Sequence, residues 1–120
     1  MKRLVLLAFA ALLGAALPAS AACRIGKMQF DFDHLSHVDL EVGPGEYCVG
    51  RFDFSTLKIT RIEVPNQPRN GLVRIEQKTF EWKYRPFGPF RGKDMFAIKI
   101  FAENARKASD GVIQFNVIVR

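Results

Sequence analysis

Side chains along most of this chain change character with every residue. Val38, Leu40 and Val42 alternate with Asp39 and Glu41. Phe80, Trp82 and Tyr84 alternate with Glu81, Lys83 and Arg85. Phe96, Ile98, Ile100 and Ala102 alternate with Ala97, Lys99 and Phe101, and Ile113, Phe115, Val117 and Val119 with Gln114 and Asn116. Met28, Phe30 and Phe32 follow the same rule against Gln29, Asp31 and Asp33, and Val73 and Ile75 follow Gly71. An extended backbone sends successive side chains to opposite faces, so each run reads as a strand with one buried and one wetted face. That pattern belongs to antiparallel sheets covered on one side only. Leu57 and Ile59 fall out of step with Ile62 and Val64, which predicts a bulge near Thr60-Arg61.

Turn chemistry separates the runs at Gly43-Pro44-Gly45, Pro65-Asn66-Gln67-Pro68, Asn70-Gly71, Pro86-Phe87-Gly88-Pro89 and Ser109-Asp110-Gly111. No stretch after residue 22 carries a helical period, and Ala102 to Ala108 reads as a long hairpin loop. About seven short strands with this punctuation predict an all-β fold, an antiparallel β-sandwich. Eleven Phe against one Trp and two Tyr supply an apolar interior for one domain.

The first segment reads as an address. Met1-Lys2-Arg3 is basic, Leu4 to Leu17 is almost wholly apolar, and Pro18-Ala19-Ser20-Ala21-Ala22 has small residues at a cleavage site. This is the make-up of a secretory signal peptide over residues 1–21, with the domain at 22–120 and a second cleavage option after Ala22. At about fourteen residues, the apolar stretch is short of the roughly 20 that cross a bilayer. The mature chain is expected in the periplasm or outside the cell, with no transmembrane segment. Its formal charge falls from +6 to +4 when Lys2 and Arg3 leave. Ser20 stands where a lipoprotein signal carries Leu or a similar residue, so lipid at Cys23 is not expected.

Two cysteines, Cys23 and Cys48, then remain in an oxidising compartment, and a disulfide between them is the expected state. Closing this loop would add roughly 3 kcal/mol on the chain-entropy view.

The second half carries a recognisable spacing. Pro68 and Gly71 precede Tyr84-x-Pro86-x-x-x-Phe90-x-Gly92-x-Asp94-x-Phe96. This resembles bacterial Ig-like and cadherin-like modules of secreted and surface proteins, whose signature joins a hairpin proline and glycine to Tyr-x-Pro and Phe-x-Gly-x-Asp-x-Phe. The match covers roughly residues 62–120. Pro89 stands where such modules have Gly, and the segment from Cys23 to Cys48 replaces their usual acidic first strand. The resemblance implies the sandwich fold. Each motif residue also has a structural role. Tyr84 needs a partner for its hydroxyl, Pro86 stops a strand, and Phe90 tucks a loop inward. Gly92 turns the backbone, Asp94 caps backbone N–H groups, and Phe96 faces in.

Asp31, Asp33, His34 and His37 lie close in sequence and could be weighed as metal ligands. They read better as a wetted strand running into a polar loop, because the histidine spacing fits no zinc pattern and no fourth ligand stands nearby. The calcium site of cadherin-type modules is not carried over, since no Asp-x-Asn-Asp cluster occurs. No metal and no cofactor are expected.

Charge is unevenly spread. Cys23 to Leu57 holds three basic and six acidic residues (−3), whereas Lys58 to Arg120 holds thirteen and six (+7). Arg69, Arg74, Lys83, Arg85, Arg91 and Lys93 fall in the central hairpins with Phe87 among them, and they form the candidate binding set. Such a face suits an envelope or secreted protein or an anionic surface, such as phospholipid or lipopolysaccharide, rather than nucleic acid. It also suits plain solubility and protection of sheet edges.

Catalytic patterns are missing. There is no Gly-x-Ser-x-Gly, phosphate loop or dinucleotide fingerprint, and both histidines share one short segment. The expectation is therefore a small exported, non-catalytic Ig-like module that binds or assists a partner in the bacterial envelope. Two rivals stand beside it. One is a structural subunit that assembles through a strand edge. The other is an inhibitor that presents the loop from Arg85 to Arg91.

Overall fold

The computed structural model describes residues 23–120, and the leader expected over residues 1–21 lies outside the described residues. The described chain is all-β: β1 (Cys23–Ile25), β2 (Leu35–Val42), β3 (Cys48–Arg51), β4 (Lys58–Asn66), β5 (Gly71–Glu76), β6 (Glu81–Pro86), β7 (Gly92–Glu103) and β8 (Ala108–Val119). These form a sandwich of a five-stranded sheet, ordered β1-β2-β8-β7-β4, and a three-stranded sheet, ordered β3-β6-β5. The count of eight agrees with the sequence reading of about seven. Neighbours run antiparallel except β2 and β8, which are parallel from Leu35 opposite Val112 to Val42 opposite Val119.

The odd–even pattern decides which side chains meet between the sheets. Val38, Leu40 and Val42 from β2 face in, as do Phe96, Ile98 and Ile100 from β7 and Ile113, Phe115, Val117 and Val119 from β8. Cys48, Val73, Trp82 and Tyr84 close over them from the small sheet. The aromatic residues form a continuous row. Tyr84 stacks on Phe96 with ring centroids 5.4 Å apart, Phe96 on Phe115 at 4.5 Å, and Phe115 meets Trp82 at 4.9 Å. Phe52, Phe54 and Phe30 carry the row onward. Offset stacking of this kind adds to the burial of large apolar rings.

Four local expectations need correction. Met28 to Phe32 is not a strand. The twelve-residue β7 and β8 outrun the short small sheet, and coil segments carrying Phe30, Phe52 and Phe54 cover the remainder of their inner face. Phe30 lies over Gly111, where any Cβ would collide with its ring and with the Asp31 carbonyl. Ser109-Asp110-Gly111 is inside β8 rather than a turn, paired with Ala102, Phe101 and Ile100 of β7, and the β7–β8 hairpin loop shrinks to residues 104–107. Phe80 precedes β6 in a left-handed turn (φ 61°), with its N–H on the Glu76 carbonyl. Finally, β4 runs through Pro65 to Asn66, past the turn read there.

The bulge lies where the slip in the pattern puts it. Pairing between β4 and β7 shifts between Ile59 and Arg61, and Thr60 Oγ1 donates to the Phe101 carbonyl at 3.1 Å.

Both seams of the sandwich are fastened. Cys23 on β1 and Cys48 on β3 form a disulfide, joining the outermost strand of the large sheet to that of the small one. The bond occupies the sulfur that a lipid at Cys23 would need. At the opposite seam, β4 faces β5. This disulfide, the ends of β2, β6 and β8, and the starts of β5 and β7 share one pole, because Cys23 pairs Val42, Val42 and Gly92 both pair Val119, and Gly71 pairs Pro86. Among the described residues, no helix is long and apolar enough to cross a membrane.

Candidate anion-binding face

With Trp82 and Tyr84 turned inward, Lys83 and Arg85 of β6 must point away from the core. Leu72 and Arg74 of β5 do the same, since Gly71 and Val73 are buried. Register then sets Arg74 directly opposite Lys83, Arg85 opposite Leu72, and Val49 of β3 on the other side of Lys83. Like charges directly across a strand pair destabilise a sheet. Among the described residues, no carboxylate lies within ion-pair distance of Arg74, Lys83 or Arg85; the ion pairs lie elsewhere, at Lys58–Glu103, Arg61–Glu63, Lys107–Asp33 and Arg120–Glu41.

What neighbours the cations is aromatic and apolar. Lys83 Nζ sits 4.1 Å from the centroid of the Tyr47 ring, and Arg85 Cζ sits 5.2 Å from it. Stacking on a ring face holds a cation while leaving its charge available. Phe87 is 55% exposed, and Tyr47, Val49 and Leu72 are also exposed. Leu72, Arg74, Lys83, Arg85 and Phe87 outline a shallow depression of about 330 Å³. Glu76 opposite Glu81 bounds the face at its far end.

The seven residues of the binding set therefore divide. Arg74, Lys83, Arg85 and Phe87 come together on this face. Arg69 and Lys93 instead line an open groove of about 1120 Å³ on the outer side of the large sheet, with Ile25, Met95 and Ile118. Arg91 lies on the rim between them and donates to the Arg120 carbonyl at 3.3 Å.

The motif residues build the pole that carries these groups. The Tyr84 hydroxyl donates to Asp94 Oδ2 at 2.8 Å. Asp94, almost fully buried, also accepts the N–H of Asn70 at 3.2 Å and that of Met95 at 3.0 Å. One carboxylate thus ties β6, β7 and the β4–β5 turn together. Burial raises the Tyr84 pKa far above its ordinary 10.0, and the hydrogen bond to Asp94 adds to it. Pro68 is buried in the adjoining turn, Gly71 is buried at the start of β5, and Pro86 ends β6. Phe90 packs against the core, Gly92 turns at φ 128°, and Phe96 is fully buried.

Asp31, Asp33, His34 and His37 do not converge on one point. Asp33 accepts the Ser109 hydroxyl at 2.6 Å and the Lys107 ammonium at 3.1 Å, while His34 Nδ1 bonds the Phe32 carbonyl at 2.6 Å. The Ser109 and Lys107 bonds hold the Asp33 pKa below its ordinary 3.8. His37 is exposed on β2.

Tyr47, Val49 and Leu72 are the members of the face that sequence reasoning misses. Parity could have found the first two: once Cys48 is buried, its neighbours on an extended chain must point outward.

No protein-family model matches this chain, and no curated protein matches it in sequence.

Proposed function

We propose that this chain is an exported, non-catalytic binding module of Ig-like type, released from a leader over residues 1–21, which takes an anionic partner of the bacterial envelope on the outer face of its small sheet. The observation that carries this reading is the set Arg74, Lys83 and Arg85, held side by side with no carboxylate within ion-pair distance among the described residues. A sheet that keeps two cations opposite each other gives up stability, and an incoming anion offsets that cost. The disulfide supports an oxidising destination. The tyrosine–aspartate anchor supports the kinship with Ig-like and cadherin-like modules, because it gives Tyr84 and Asp94 the structural roles that the signature asks of them.

Assembly through a strand edge is less well supported, since β4 and β5 have their outward backbone groups occupied at Ile62 and Val73. An inhibitor role draws support from Phe87 alone, exposed in its loop beside Arg85.

The test is retention on a heparin column, used as a generic polyanion. Arg74→Glu/Arg85→Glu should elute at much lower salt than the wild type, and Lys78→Glu/Arg106→Glu, with the same net charge at the other pole, should elute close to it. Equal loss in both variants would reduce the face to net charge and overturn the reading.

A further inference from the structure

We propose that the anionic partner is a phospholipid membrane surface, and that contact extends from the small-sheet face around the pole that carries Phe87, so that the membrane is met end-on; this rests on the anion-binding reading above, names its target and widens its contact. The cations of this pole lie on both sides of the sandwich. Arg85 stands on the outer face of the small sheet, Arg69 and Lys93 line the groove on the outer face of the large sheet, and Arg91 lies on the rim between. All four belong to the same pole, because Gly71 pairs Pro86 and Gly92 pairs Val119. A peptide or small anion lodged on one face would reach only part of this set. A target wider than the domain, charged over its whole surface, reaches both sides at once.

The acidic groups of this pole do not cancel the set. Glu41 is held by Arg120 at 3.3 Å, and Asp94 is buried under Tyr84. That leaves Glu46 and, further along the groove, Asp39 against Arg69, Arg85, Arg91 and Lys93. At the far pole Asp33, Asp53, Glu76, Glu81, Glu103 and Asp110 stand among Arg51, Lys58, Lys78, Arg106 and Lys107, so charge there is close to balanced and the basic excess lies at the Phe87 end, which turns toward a negative surface.

Stable attachment to a membrane takes a second signal besides charge. Phe87 supplies one. It projects from the loop between Pro86 and Pro89, its N–H held by the Asn70 carbonyl at 2.8 Å and its carbonyl accepting the Phe90 N–H at 3.0 Å. Fixed in this way, the ring enters the interface without a large loss of loop freedom. Tyr47, an amphipathic ring of the kind that settles at headgroup level, stands exposed on the same pole.

The experiment is co-sedimentation of the exported, oxidised protein with vesicles of phosphatidylglycerol and phosphatidylcholine (3:7), against pure phosphatidylcholine and against soluble heparin and polyglutamate. Binding should require phosphatidylglycerol and weaken as salt rises. Arg85→Glu and Arg69→Glu, taken from opposite faces, should each weaken vesicle binding by roughly five-fold or more, and together by the product. Phe87→Ser should weaken vesicle binding several-fold, and far more than it weakens heparin binding, with thermal stability unchanged. If Arg85→Glu acts and Arg69→Glu does not, the contact is face-on and the end-on proposal is wrong. Retention by heparin or polyglutamate without vesicle binding overturns the lipid assignment and keeps the anion-binding reading. Binding to none of them ends both. The salt dependence of the wild type keeps the test decisive should a variant fail to fold.

Discussion

The side chain of Gln67 meets the backbone of Val73 as a neighbouring strand would: Nε2 donates to the Val73 carbonyl at 3.1 Å, and the Val73 N–H donates to Oε1 at 3.0 Å. Gln77 does the same for Ile62 on β4, donating to its carbonyl at 2.8 Å and accepting its N–H at 3.3 Å. Each glutamine follows the strand of one sheet and satisfies the open edge of the other. The seam between β4 and β5 is thereby closed by two amides, as the seam between β1 and β3 is closed by sulfur. Unpaired edges invite other strands, and these amides occupy the groups that would receive them.

Gln67→Ala and Gln77→Ala should each lower stability by about 1 kcal/mol, the net worth of the lost hydrogen bonds less what water replaces. The pair should also self-associate more readily than the wild type. Urea denaturation and size-exclusion chromatography at high concentration check this. An unchanged midpoint together with an unchanged elution volume would show that the amides do not guard the edge.

Removing the disulfide by Cys23→Ser/Cys48→Ser should cost about 3 kcal/mol, because a separation of 25 residues is released in the unfolded chain. Non-reducing mass spectrometry of the exported protein should show one Cys23–Cys48 link and an N-terminus at Ala22 or Cys23.

Tyr84→Phe should cost about 1.5–3 kcal/mol, the range for a hydrogen bond to a charged group. The sign of its pH dependence is fixed. The folded-state pKa lies above the ordinary value, so the stabilisation is complete below pH 10 and erodes as pH rises beyond it. In a Tyr47→Phe background, tyrosinate absorbance should stay absent at pH 10–11 while the fold holds, then appear with unfolding. Reversible ionisation of Tyr84 near pH 10 in folded protein would contradict the anchor.

Asp33 behaves in the opposite sense. Its pKa is depressed by Ser109 first and Lys107 second, so its contribution is present above 3.8 and is lost as pH falls below that value. Carboxyl-detected NMR should show Asp33 titrating below its ordinary range, and Ser109→Ala should return it part of the way upward.

Much of the architecture is written in local alternation. The inward set from Val38 to Val42 and from Trp82 to Tyr84, the bulge at Thr60, the Cys23–Cys48 bond and the structural role of Asp94 can all be read along the chain. Phe30 cannot, because alternation alone does not distinguish a strand from a coil whose rings cover an overhanging sheet. Gly111 resembles a turn residue, whereas its role is to leave room for Phe30. The parallel pairing of β2 with β8 and the reach of Gln67 and Gln77 depend on partners distant in sequence or across the seam, and no local signal encodes them. For the candidate face, charge counting finds Arg74, Lys83 and Arg85. It misses Tyr47, whose ring lies under two of them, and it merges Arg69 and Lys93 with cations on the opposite side of the sandwich.

The anion-binding face is best tested by backbone NMR mapping during titration with a short heparin oligosaccharide. Saturable shifts should centre on residues 72–74 and 83–87 with Tyr47 and Val49, and weaken with salt. Shifts confined to the far pole around residues 53–57 and 104–107, or no saturable shift at low salt, would show that these cations do not form a binding face.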